Sequence, residues 1–248
     1  MRNLLLAGVF LGAPSLAHLS GIGLSPPHLF ITLEPGESWQ GSFTVYTQNG
    51  RGELHPSLTD WTLSPQGTLL LAPPGSLPYS AATWISLAEN PFELLPSHPI
   101  RLELTIHVPP QTPTGDYWAA IALKTAPSPL PQGVGLRTSL EVLEIVYVRV
   151  GHPEAQAALT LERTSKGWLA VFANRGTQVL RLHPKLRFLN HQGILLKEVS
   201  LSEEVLLRGD ALDLPLDGPF PKGSALLLIE AQAAGLRQPL VATLNLGP

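Results

Sequence analysis

Across residues 101–108 apolar and polar side chains alternate without a break. Leu102, Leu104, Ile106 and Val108 point one way, and Arg101, Glu103, Thr105 and His107 point the other. Strict period two with one apolar face predicts a half-buried antiparallel strand. The pattern recurs in shorter stretches: Phe43 and Val45 within residues 42–46, then residues 58–63, then Tyr117, Ala119, Ile121 and Leu123. A long apolar stretch, residues 136–150, reads as a further strand. No stretch repeats its apolar residues every three to four positions over three turns, so no long helix is predicted.

Turn residues separate these runs. Glu34-Pro35-Gly36-Glu37, Asn49-Gly50 and Ser64-Pro65-Gln66-Gly67 each close one stretch before the next begins. The chain has 25 prolines and 22 glycines, which suits many short strands rather than a few long elements. Gly151-His152-Pro153 breaks the series, and a second set follows. Leu159 and Leu161 alternate, and strands are predicted over residues 168–173, 185–189, 194–199, 205–207, 225–230 and 241–246. About seven short strands is the number expected of a β-sandwich. The fold class predicted is all-β, with two immunoglobulin-like β-sandwich domains in tandem, residues 18–151 and 152–248.

The first residues read differently. Arg2 precedes a short run over residues 4–12 that is apolar apart from its glycines. Ser15 and Ala17 then stand three and one residues before His18. This is the layout of a cleaved export signal over residues 1–17, and the run is too short for the ~20 residues of a spanning helix. No second apolar stretch of spanning length follows, so no membrane span is expected after cleavage. The expected compartment is periplasmic or extracellular.

Composition narrows the chemistry. Sixteen basic and nineteen acidic residues are well mixed, for a net charge of −3, so no basic stripe is present to neutralise phosphates and no nucleic-acid partner is expected. The absence of cysteine removes disulfides, thiolate catalysis and thiolate metal ligands. The eight histidines form neither His-x-His nor His-Glu-x-x-His, and a zinc site needs three or four convergent ligands. No Gly-x-Ser-x-Gly elbow or glycine-rich phosphate loop occurs. Asp210, Asp213 and Asp217 lack the alternating oxygens of a calcium loop and read as a solvated loop. The five tryptophans stand singly and read as core or inter-sheet packing. No enzyme activity, metal or cofactor is expected.

Certain stretches point further. Gly115-Asp116-Tyr117 opens a strand after a proline-rich turn, as in the tyrosine corner of immunoglobulin-like domains, with Ala119 where antibody domains have a cysteine. With Leu33-Glu34-Pro35-Gly36, Asp60-Trp61, residues 80–85, Ile106-His107-Val108-Pro109 and residues 145–150, residues 26–150 resemble the N-terminal domain of PapD-like periplasmic pilus chaperones. Residues 155–246 resemble the second sandwich of such proteins, with Asn174-Arg175-Gly176 at an N-x-G corner. The resemblance implies strand donation: the last strand of the first domain completes the sheet of an unfinished subunit. The implied partners are protein subunits of a pilus, fimbria or surface coat. The implied partner-binding residues are Leu143, Ile145, Tyr147 and Arg149. Two other readings of this strand stand beside it, burial on both faces and coverage of one face by the second domain. In the family a basic residue on this strand anchors the client's terminal carboxylate. Ile145 takes that place here, with Arg149 and Arg137 as the neighbouring cations. The alternative function is a two-sandwich structural or adhesion scaffold at the cell surface.

Overall fold

A computed structural model describes residues 20–88, 90–126, 139–216 and 219–246. The export segment, Arg137 and Asp217 lie outside the described residues. The first ten strands are β1 (Ser20–Ser25), β2 (His28–Leu33), β3 (Ser38–Asn49), β4 (Gly52–Leu63), β5 (Leu69–Ala72), β6 (Ile85–Leu87), β7 (Phe92–Leu94), β8 (Ile100–His107), β9 (Gly115–Thr125) and β10 (Glu141–Val150). They build two facing sheets, β1-β3-β8-β6 and β2-β10-β9-β4-β5, with β7 also on β4. Their inner faces close one core. Phe43, Val45, Leu104 and Ile106 come from the first sheet, and Ile121, Leu123, Val146 and Val148 from the second. The alternation over residues 101–108 is thus realised as β8, with Ile106 and Val108 fully buried and Arg101 and Glu103 exposed.

The tyrosine corner is present. The Tyr117 hydroxyl donates to the carbonyl of Pro113 at 2.9 Å, which ties the start of β9 to the turn before it. The Asn49-Gly50 turn does not close a hairpin. It carries the chain from β3 in one sheet to β4 in the other. β1 was not expected. Its sequence, Ser-Gly-Ile-Gly-Leu-Ser, carries little β-propensity, and the Tyr46 ring lies over Gly23 where a side chain would stand.

The second half comprises β11 (Ala157–Thr164), β12 (Gly167–Asn174), β13 (Leu180–Leu189), β14 (Leu195–Ser200), β15 (Glu204–Leu206), β16 (Ala211–Leu216), β17 (Leu226–Gln232) and β18 (Leu240–Asn245). The sheets are β11-β12-β16 and β14-β13-β17-β18, with β15 also on β13. Phe172, Leu180, Leu182, Leu227 and Ile229 are fully buried between them. At the corner after β12, Asn174 is buried, and its Nδ2 donates to the carbonyls of Gln178 and Leu206 at 2.8 and 3.1 Å. Only glycine fits at 176, since a Cβ there would lie 2.2 Å from the Glu154 carbonyl oxygen.

One expectation fails here. The acidic stretch from Asp210 is not a plain solvated loop. Residues 211–216 form β16 against β12, with Leu212 and Leu216 buried. The aspartates hide a period-two row, and Pro215 is tolerated because β16 is an edge strand. Among the described residues no helix is long and apolar enough to cross a membrane.

Candidate functional site

β10 is the strand on which the resemblance places the partner-binding residues, and its two edges differ along its length. One edge runs antiparallel to β9 from Glu141 through Val150. The other runs parallel to β2, but only from Ile145, which pairs with His28, to Val150, which pairs with Leu33. Among the described residues, 141–144 therefore have a strand neighbour on one side only. Their other side presents unpaired backbone donors and acceptors, the group set that accepts an added strand.

The side chains of β10 divide by parity. Val142, Glu144, Val146, Val148 and Val150 turn toward the first core, whereas Leu143, Ile145, Tyr147 and Arg149 turn outward. The outward four are not one exposed row. Leu143 and Ile145 are half-buried, while Tyr147 is only 5% exposed. Tyr147 lies edge-on to Trp61 with ring centroids 6.0 Å apart, and the Arg181 guanidinium sits 5.8 Å over its ring. Burial pushes the Tyr147 hydroxyl above its ordinary pKa. Tyr147 thus belongs to the seam between the sandwiches rather than to an open surface.

That seam is a third apolar cluster. Trp61, Trp118, Ala120 and Tyr147 of the first sandwich meet Val179 and Leu207 of the second. Each indole is also tied down, with Trp118 Nε1 donating to the Trp61 carbonyl at 2.8 Å and Trp61 Nε1 to that of Ala119 at 3.3 Å. The outer face of β9 is buried as thoroughly as its inner face, which single-face alternation does not announce.

Arg149 is held. Its Nε and Nη2 donate to the two oxygens of Asp116, both at 2.8 Å, and its guanidinium lies 5.1 Å over the Phe30 ring. Asp116 is 1% exposed and also accepts the Val179 amide at 2.7 Å, while its own amide donates to the Thr177 carbonyl at 2.8 Å. One buried carboxylate therefore joins Arg149 to the second sandwich. Polar contacts on the other side of the seam add to this. The Asp213 amide donates to the Pro65 carbonyl at 2.7 Å, Thr62 Oγ1 donates to Asp210 at 3.2 Å, and Arg208 stacks 4.3 Å over the Tyr79 ring. Asp210, half-buried, has its pKa raised by that burial.

Beside Tyr147, Arg181 pairs with Glu203 at 2.7 Å and His183 lies 3.5 Å from the same carboxylate. Among the described residues no group of three histidine or acidic side chains is placed to hold a metal ion. Sequence reading missed Asp116 as an anchor, although it stands inside the Gly115-Asp116-Tyr117 motif. Its partners, Arg149 and the Val179 amide, are 33 and 63 positions away.

No protein-family model matches the sequence, and no curated protein matches it. Solved structures do. A chaperone–tip adhesin complex of CFA/I fimbriae biogenesis shares 12% identity, with 92% of this chain and all of that chain covered, at a TM-score of 0.51. The chain has the two-sandwich fold of PapD-like fimbrial chaperones. The class 5 fimbriae chaperone CfaA shares that fold at 11% identity, covering 90% of this chain and 98% of that one, with a TM-score of 0.52. The CsuC–CsuE chaperone–tip adhesion subunit pre-assembly complex of Acinetobacter baumannii does so at 9% identity, with 90% and 98% covered and a TM-score of 0.53. Of the two cations expected beside Ile145, Arg149 is already committed to Asp116.

Proposed function

We propose that this protein is an exported, non-enzymatic chaperone that binds subunits of a pilus, fimbria or surface coat and completes their sheet with β10. Its place of action is the periplasm or the cell exterior. The observation that supports this most is the free backbone edge of residues 141–144, flanked on the outer face by the half-buried Leu143 and Ile145. An added strand gains its main-chain hydrogen bonds there, and side-chain pockets in the client supply selectivity. Leu143 and Ile145 are the contact residues in this reading. Tyr147 and Arg149 hold the strand against the seam.

The test is a substitution at the rim of the seam, where Leu143 packs half-buried against its cluster, and it leaves the buried residues in place. Leu143→Lys is expected to change stability by about 1 kcal/mol or less, since the side chain is only half-buried. It is expected to abolish co-purification of a co-expressed fibre or coat subunit that wild type retains. Retention of the subunit at the wild-type level by a normally folded Leu143→Lys protein would contradict strand donation at this edge.

A further inference from the structure

The inner face of β10 carries a group that strand donation does not use. Glu144 is fully buried, and among the described residues neither of its carboxylate oxygens has a hydrogen-bond partner. Buried acids without partners are rare because the charged form loses its hydration and gains nothing in return. Glu144 stands between Val142 and Val146 on its own strand and opposite Ile121 of β9, with Leu123 on the same face. β2 contributes Leu29 to this interior, β1 contributes Ile22 and Leu24, and β3 contributes Val45 and Thr47. None of these side chains titrates. The nearest charges along the β9–β10 ladder, Lys124 and Glu141, pair with each other at 3.2 Å. Burial alone raises the Glu144 carboxyl from an ordinary 4.5 to about 7.

Its position matters as much as its burial. Glu144 is the last residue of β10 before β2 joins the sheet at Ile145. Among the described residues, the segment it belongs to, residues 141–144, is hydrogen-bonded in the ladder to β9 alone, so it can open without breaking the β2 ladder.

We propose that Glu144 is a proton-controlled latch for the client-binding edge. With its proton on, the side chain stays in the apolar interior and residues 141–144 stay docked on β9. With its proton off, an unpaired carboxylate is left in that interior, and the segment carrying it opens toward water. A carboxyl whose pKa is raised in the closed state binds more protons closed than open. The latch is therefore fully set below about pH 4.5, weakens as pH rises toward about 7, and changes little above that. The consequence for clients rests on the strand-donation reading. The latch itself is a property of the isolated chain.

Amide exchange measured by NMR on the whole protein, without any client, tests it. After correction for intrinsic exchange, protection of the Val142 and Glu144 amides, which point toward β9, is expected to fall about 40-fold from pH 5 to pH 7 in wild type. Protection of Val148, flanked by β2 and β9, should stay nearly constant. In Glu144→Gln, protection of the same two amides should change less than about twofold over the same range. An equal fall in both proteins, or none in wild type, would overturn the proposal. Should the variant fail to fold, the side-chain carboxyl carbon of Glu144 in wild type is followed directly: a midpoint near 7 supports the latch, and one below 5 overturns it. Because no client takes part, loss of the strand-donation reading would leave this result untouched.

Discussion

Ile106→Asp is expected to unfold the first sandwich. Ile106 is fully buried in β8, paired in register with Trp39 of β3 and Ile85 of β6 and facing the second sheet of the sandwich. An aspartate there loses the transfer free energy of a large aliphatic group and buries a carboxylate with no partner, a cost of about 4 kcal/mol or more. For a domain of this size that lowers the melting temperature by about 15 °C or more. Thr105→Asp, one position along but on the outer face, should cost about 0.5 kcal/mol. Thermal unfolding of the two variants side by side checks this. Similar shifts would mean that the inner face of β8 has been misassigned.

Asp116→Ala should be the most damaging polar substitution at the seam. The carboxylate is 1% exposed and serves both Arg149 and the Val179 amide. Its removal leaves a guanidinium and a buried amide without their acceptor. Breaking a buried pair costs about 3–5 kcal/mol, and the lower end applies because the Arg149 side chain, 24% exposed, recovers some hydration. Arg149→Ala should cost less, because Asp116 then keeps the Val179 amide. Denaturant unfolding of both single variants and the double variant measures the coupling. Equal costs below about 1 kcal/mol would remove Asp116 as the joint between the sandwiches.

What could be read from the sequence follows a physical rule. Alternation reports burial on one face, so β8 and the inner face of β9 were legible from their side chains alone. The corner at Tyr117 was legible because a proline-rich turn must precede it. The outer face of β9 was not, since Trp118 and Ala120 are buried by a neighbour that single-strand periodicity does not encode. β16 was hidden because Asp213 and Pro215 sit between the apolar positions of an edge strand. The sequence placed all four residues expected to bind a partner on one face of one strand. It could not separate the half-buried Leu143 and Ile145 from Tyr147, because that difference is made by Trp61 and Arg181. The Asp116–Arg149 pair is a long-range contact between two adjacent strands, and no local spacing announces it.

The central claim is that β10 meets a client at residues 141–144. A photo-reactive phenylalanine analogue at position 143, compared with the same analogue at Glu103 on the exposed face of β8, tests it most directly. Illumination in cells that make surface fibres or coats is expected to cross-link position 143, but not position 103, to a fibre or coat subunit. Equal labelling at both positions, or no subunit captured at 143 when the protein is folded, would contradict it.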